Sequence, residues 1–404
     1  MKRVNCFNAA CGSAVWAASI LLAFGLNSAT ARPPGTPPPK YTVIELQPLP
    51  GQAGTYISAY PGSLNQHGQV VGASYADPTV AVAGCVWQKG GVTELPPAPL
   101  PWTLPNAVND SGYVVGASCE PWSINCHAYV LERQQWAQLP DLDATYCNAG
   151  PGGVNNQGTV IGTVWKSLGF NGWEPPLPVV WRQGKIELLP ILDLGPDRTP
   201  AGDPWAINDL DQVVGRSGDW FYDEQGNKPP PYYMHATFWE NGAAIDMNEN
   251  HDYSIACDIN NAGVAVGAFI DYDPNSPGGV GPLMVERPFA WTKRTGLMEI
   301  GTLPGYPFGF AFALSDGGDI VGQVAPFFTG FCPPTDMRAV LWKHEGVYDL
   351  NECVPAGSDW ILYQAFAINA RGQIVAFGVN TQTGAGGTFL LNPQPLPAPT
   401  APEE

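Results

Sequence analysis

One ten-residue phrase, written seven times, constrains this chain more than any other feature. Its clearest copy is Ala206-Ile207-Asn208-Asp209-Leu210-Asp211-Gln212-Val213-Val214-Gly215. An Asn recurs at Asn65, Asn109, Asn155, Asn208, Asn260 and Asn369, with Ser315 as the single substitute. Three residues on stands Gly68, Gly112, Gly158, Asp211, Gly263, Gly318 or Gly372, and seven residues on stands Gly72, Gly116, Gly162, Gly215, Gly267, Gly322 or Ala376. The copies are spaced 44 to 55 residues apart, which is the spacing of a repeat array. Asn-x-x-Gly between apolar runs suits a strand, a type I turn and a second strand. Asn can accept from its own backbone two residues on, and Gly or Asp tolerates the left-handed position that closes the turn. Turn chemistry of this kind explains all seven copies without a metal.

Each repeat continues with a third strand ending in a large apolar residue: Trp87, Leu131, Trp181, Trp239, Trp291, Trp342 and Leu391. A short turn, usually with Gly (Gly91, Gly184, Gly242, Gly296, Gly346), leads to a fourth strand. That strand carries Glu94-Leu95, Gln138-Leu139, Glu187-Leu188, Asp246-Met247, Glu299-Ile300 or Asp349-Leu350. Four strands per repeat is the content of a propeller blade. The seventh repeat stops after its third strand, Thr388–Leu391, and Glu45-Leu46 near the start supplies the missing element. The sequence therefore predicts an all-β, seven-bladed β-propeller over residues 41–393, with four-stranded blades and an N-terminal strand closing the last one. Closure removes the exposed sheet edges of an open array.

Composition agrees. Glycine (47) and proline (42) are abundant and charged residues make up only 13%, which suits short strands and turns rather than helical bundles. Residues 1–31 read as a secretory signal: Lys2 and Arg3, an apolar run from about Ala14 to Leu26, then Ala29-Thr30-Ala31 as a cleavage site. That run is short for a bilayer span, so no transmembrane segment is expected once the signal is removed. Residues 32–40 form a Pro-rich linker and 394–404 a Pro-rich tail expected to be disordered. Loss of Lys2 and Arg3 takes the net charge from −18 to −20, which excludes nucleic acid and anionic membrane as partners.

The repeat resembles the extracellular HAF-repeat family of bacteria. The resemblance rests on His127-Ala128-Tyr129, His235-Ala236-Thr237-Phe238-Trp239 and the recurrent Ile/Val-Asn-x-x-Gly-x-Val-Val-Gly, and covers nearly the whole mature chain. It implies an exported β-propeller-like protein and no settled reaction. This chain departs from the family triplet at Ala83, Leu177, Arg287, Arg338 and Gly387, and its tail lacks the apolar span and basic end of a surface-sorting segment.

Labelling the strands of a blade a to d, the a–b and c–d turns share one end of the propeller and are short. The b–c and d–a connections share the other end and are long, including Trp165–Pro176, Ser217–Met234, Phe269–Glu286 and Val324–Asp336. Long loops on a rigid scaffold concentrate binding residues. Their aromatics include Trp173, Trp220, Tyr222, Tyr233 and Tyr272, which fit either a platform for sugar rings or peptide, or packing of the loops on one another. On the a strands, two residues before each turn Asn, stand small residues with one exception, Asp258. A carboxylate there could bind a ligand or a cation, serve as an acid or base, or be solvated in the channel. Asp271, Asp273 and Asn275 have the alternate oxygens of a calcium loop but lack its Gly and terminal Glu. Apart from that calcium reading no cofactor is expected.

Seven cysteines follow the leader. Cys119 with Cys126 is the expected disulfide, Cys332 with Cys353 the next, Cys147 a competitor, and Cys85 and Cys257 read as buried strand residues. The leading expectation is a non-enzymatic binding or scaffold propeller that engages an extracellular carbohydrate or protein through the long-loop face. The alternative is a polysaccharide-active hydrolase or lyase drawing on Asp258, Asp203, Asp223 and Glu224 around the channel.

Overall fold

The computed structural model describes residues 38–58, 60–77, 79–121, 125–146, 148–166, 175–193, 200–219, 234–248, 251, 253–273, 283–329, 333–344 and 346–395, with backbone only at 272–273 and 283–284. It forms seven four-stranded antiparallel sheets, each sequential except the last. Blade 4 is typical, with strands a to d at Pro200–Ile207, Val213–Asp219, Met234–Glu240 and Ala243–Asp246. In blade 7 the fourth place is taken by the N-terminal strand Tyr41–Glu45, which pairs with Gly386–Pro393 from Tyr41↔Pro393 to Glu45↔Phe389. The named helices are Leu350–Cys353 and a 3₁₀ turn at Pro61–Ser63.

The turn phrase folds as its chemistry requires. Asn208 accepts the Asp211 amide on its carbonyl at 3.2 Å and the Leu210 and Gln212 amides on Oδ1 at 3.0 Å each. Asp211 sits at φ 57°, the left-handed value that glycine holds in the other copies. The c–d connections of blades 1 to 4 are two-residue turns with both residues at positive φ, as at Gln183-Gly184 and Asn241-Gly242, whereas blade 5 uses three residues between Thr292 and Gly296. Three glycines placed in those turns by the sequence, Gly91, Gly296 and Gly346, instead begin their fourth strands.

The Gly seven residues after each turn Asn has a different reason. In five of the six blades that carry it, this Gly lies against the a strand near its bulge, where two a-strand residues face one on strand b, and in blade 1 Gly72 lies against the Tyr56 carbonyl beside the insertion at Ser58–Ser63. A Cβ on Gly267 would lie 1.9 Å from the Ile255 carbonyl oxygen, and one on Gly215 would lie 2.2 Å from that of Asp203.

Blades are joined edge to edge by indoles. Trp181 Nε1 donates to Pro140 O (2.9 Å), Trp239 to Pro190 O (2.6 Å) and Trp342 to Gly301 O (3.0 Å), each carbonyl lying just past strand d of the preceding blade. Blade 2 has Leu131 at the usual position, and Trp136 on its fourth strand reaches Pro96 O instead, at 2.7 Å. Trp87 of blade 1 bonds Gln47 O at 2.8 Å, directly after the closing strand, so the same clamp spans the junction where the ring closes.

The axis is filled. Tyr60 of blade 1 packs on Trp205 of blade 4, ring centroids 5.2 Å apart, across the centre of the ring. It sits in an insertion: Ser58–Ser63 stand between Ile57 and Leu64, where blade 4 has only Trp205 and Ala206 between Pro204 and Ile207. A hydrophobic cluster including Ile57, Ile255, Phe312 and Phe366 joins inner strands from both sides of the axis, with Trp205 and Phe310 against it. The small residues two before each turn Asn do not make the whole inner strand small. The residue before that is large in three blades, as Trp205, Phe312 and Phe366, and is Gly62, Asn106, Gly152 or Cys257 in the others.

Candidate functional site

The turn asparagines do more than close turns. Each Nδ2 donates to the main-chain carbonyl of the matching residue in the next blade: Asn65 to Asn109 (3.0 Å), Asn109 to Asn155 (3.0 Å), Asn155 to Asn208 (3.1 Å), Asn208 to Asn260 (2.9 Å), Asn260 to Ser315 (3.3 Å) and Asn369 back to Asn65 (3.0 Å). A serine hydroxyl is too short for this reach, so the belt is interrupted after Ser315. The residues that follow form a second, wider belt. Side chains of Asp110, Asn156, Asp209, Asn261 and Asp316 each accept a main-chain amide from the preceding blade at 2.8 to 3.0 Å. Their alternation of acid and amide lets Asn156 Nδ2 bridge Asp110 and Asp209, and Asn261 Nδ2 bridge Asp209 and Asp316.

These belts wall a cup of 190 Å³ at the axis, open on the face of the a–b turns and closed below by the inserted turn of blade 1 and Trp205. All seven blades contribute to it. Asp258, the misfit of the sequence, is in its wall. Its Oδ1 accepts the Ile259 amide and its Oδ2 the Leu314 amide of blade 6, both at 2.8 Å. It is therefore a bond between blades rather than a channel-solvated group. Burial pushes its carboxyl up to about 7 against the opposing pull of those two amides, and the neighbouring Asp316 adds to the rise.

The other channel acid named from sequence, Asp203, is held by Arg216 through Nε at 2.7 Å and Nη2 at 3.0 Å, and by Trp205 Nε1 at 3.2 Å. Arg216 also bonds the Tyr253 hydroxyl. Asp223 and Glu224 lie outside the described residues, as do Trp173, Trp220, Tyr222, Tyr233, Asn275 and Cys332.

On the long-loop face, the segment Phe269–Glu286, expected as a loop, is ladder at both ends, over 269–273 and 283–286. Blade 5 runs its b and c strands out to Asp273 and from Leu283, so Asp271, Tyr272 and Asp273 are strand residues rather than a turn. Asp271 accepts from His251 Nδ1 at 3.0 Å, and the imidazole stacks on Phe269. Among the described residues no cluster of three or more His, Cys, Asp or Glu is poised for a metal. Glu286, which the sequence did not single out, is 1% exposed on this arm and accepts the Thr329 hydroxyl from the b–c loop of blade 6 at 2.8 and 2.9 Å. Burial raises its carboxyl to about 7 despite the Thr329 bonds and the adjacent Arg287.

The Cys119–Cys126 disulfide is present. Cys85 and Cys257 are free and buried, as expected, and Cys353 is buried on the short helix with Sγ 3.3 Å from Asp349 O. His235 and Arg338 near the start of their c strands, and Arg287 within its longer one, have a structural task. His235 pairs with Asp246 (2.8 Å), Arg287 with Glu299 (3.4 Å) and Arg338 with Asp349 (3.7 Å), joining strands c and d of one blade.

The raised carboxyls set a pH dependence. An acid whose folded pKa lies above its unfolded value keeps its proton longer in the folded state, so stability falls as pH rises from about 4 to about 7 and levels off above. Each group contributes a loss on the order of 2–4 kcal/mol across that window. Melting temperatures at pH 5 and pH 8 test this. Glu286→Gln and Asp258→Asn are each expected to shrink the difference between the two pH values, and slopes parallel to the parent would refute it.

No protein-family model matches the sequence, and no curated protein matches it. Solved structures do. The Pyrococcus horikoshii acylaminoacyl peptidase superposes with a TM-score of 0.51 at 10% identity, over 84% of this chain and 52% of the peptidase. The β-propeller domain of the Trilobed protease from Pyrococcus furiosus gives a TM-score of 0.48 at 11% identity over 84% of this chain and 94% of that domain. The chain spans about half the peptidase's length, and likeness at this identity shows the propeller fold alone.

Proposed function

We propose that this chain is an exported, non-catalytic binding propeller of the HAF-repeat kind, engaging a carbohydrate or a protein through its b–c/d–a loop face. The observation that carries the reading is the pre-organised arm on that face. Blade 5's b–c hairpin is held by a ladder from Ala265↔Trp291 to Asp273↔Leu283, and Glu286 ties it to the blade 6 loop through Thr329. Rigid presentation lowers the ordering cost of binding. Phe327, 42% exposed, extends the apolar surface on the blade 6 loop. The described channel acids favour binding over hydrolysis, since Asp203 is neutralised by Arg216 and Asp258 spends an acceptor site of each oxygen on a backbone amide. The leader and the Cys119–Cys126 disulfide support export.

The test incubates the purified protein with a panel of soluble and insoluble polysaccharides and scores retention and new reducing or unsaturated ends in the same tubes. Retention without release is expected, weakened by Trp220→Ala or Tyr233→Ala. Release of ends would overturn the reading in favour of a hydrolase or lyase. Absence of retention, together with absence of a protein partner captured through the same two side chains, would overturn it as well.

A further inference from the structure

The axial cup lies at the end of the molecule opposite the long loops, and nothing in the proposed function uses it. We propose that it is a second binding site, a receptor for a single alkylammonium group of the kind carried by a short amine or a lysine side chain. Four observations converge.

The first is charge. Asp110, Asp209 and Asp316 around the mouth are carboxylates, Asp258 in the wall joins them as pH rises through about 7, and among the described residues no lysine, arginine or histidine lines the cup. Arg216, which shares Asp203 with Trp205, is committed to Asp203 and Tyr253. A concave mouth with one sign of charge concentrates the opposite ion.

The second is acceptor capacity. A carboxylate offers about four acceptor sites. Asp258 uses one on each oxygen for the amides of Ile259 and Leu314, leaving the rest for a donor from the cup. An ammonium brings three donors and no acceptor, which matches a wall whose spare acceptor sites are on carboxylates, the turn asparagine carbonyls being already engaged by turn amides and by the belt.

The third is the floor. Trp205 lines the cup as a half-buried indole braced by Tyr60 and by its own bond to Asp203. A cation against an indole face is favoured, most of all where water is excluded.

The fourth is size. At roughly 30 Å³ per liquid-like heavy atom, 190 Å³ holds about six such atoms, the length of a four- or five-carbon amine. Leu64, Ile259, Leu314 and Ile368 give the alkyl stem apolar contacts.

Isothermal titration calorimetry on the purified protein tests the site with n-butylammonium, a lysine-centred tripeptide blocked at both ends, and the same tripeptide acetylated on Nζ. Binding of the charged probes is expected with Kd on the order of 1 mM. The acetylated peptide should bind at least about tenfold more weakly, because it leaves the carboxylates unpaired. Butylammonium alone binding would identify a free amine as the occupant, and both charged probes binding would admit a protein lysine; either supports the site. Asp258→Asn and Trp205→Leu should each weaken butylammonium by about tenfold, with Trp205→Phe retaining most of the affinity. Should those variants misfold, the comparison of charged with acetylated peptide and the weakening expected at about 0.5 M salt need no variant. Equal binding of the charged and acetylated peptides, no binding by either charged probe, or displacement of the amine by calcium at equal concentration would overturn the proposal. These readouts do not depend on the loop-face test, so either reading can fail alone.

Discussion

A protein lacking Tyr41–Pro50 is expected to aggregate rather than fold. The segment supplies the fourth strand of blade 7 and lends Gln47 to the Trp87 clamp of blade 1. Its removal strips cover from Phe389, Leu390 and Leu391, which are at most 5% exposed in the closed ring. Burial of Tyr41 and Leu46 alone stabilises by on the order of 2–3 kcal/mol each, and the ladder bonds add about 1 kcal/mol apiece. The total rivals the roughly 5–15 kcal/mol net stability of an ordinary folded chain. The unpaired edge that remains is apolar, the kind that templates aggregation. Size-exclusion chromatography and thermal melting of the truncated chain check this. A monodisperse monomer melting like the parent would show that the ring does not need its N-terminal strand.

The second large effect is expected from Gly267→Ala. The backbone there is extended, so the cost is steric rather than conformational. The new Cβ would stand 1.9 Å from the Ile255 oxygen and 2.9 Å from the Ala256 Cα, and backbone cannot move aside as a side-chain tip can. Overpacking of this kind costs about 3 kcal/mol or more. Gly242→Ala is the control: its φ is +77° and its surroundings are open, so about 1 kcal/mol is expected from backbone strain alone. Urea denaturation of both variants decides the matter, and equal losses would remove the bulge argument. Blade 7 has Ala376 at this position and carries a second register shift between Leu362 and Gln364, a rearrangement not recorded for the other a–b pairs.

Some of this was readable before the fold was in hand. Asparagine at the turn, rather than aspartate, is one such signal. Aspartate would serve the local turn equally through Oδ1, so a nearly uniform Asn implies that the Nδ2 donor is used, and it is used on the next blade. The Asp/Asn alternation of the following residue is a second signal, explained by amides that bridge two acids. The pairing of His or Arg at the start of strand c with an acid on strand d is a third. The residues of the long-loop face were less legible, because loop aromatics have no period that ties them to a partner. Glu286 was missed for the same reason: its partner Thr329 is 43 residues away in a segment of different length in each blade.

The amino-acid sequence by itself determined the number of blades, their four strands, the turn conformations and the strand that closes the ring. The turns and the strand pairs within a blade depend on contacts between near neighbours, repeated often enough to be unmistakable, whereas the closing strand, whose partner is 350 residues away at Thr42, shows as the one element missing from the last repeat. Only the tertiary structure decided what lies on the axis. Tyr60 and Trp205 are 145 residues apart by their numbers and belong to blades on opposite sides of the ring, so no local pattern relates them. Their packing turns an expected channel into a blind cup, and places Asp258 in its wall beside an indole. A closed ring brings residues from every repeat to one point, and what meets there depends on where a single repeat departs from the others.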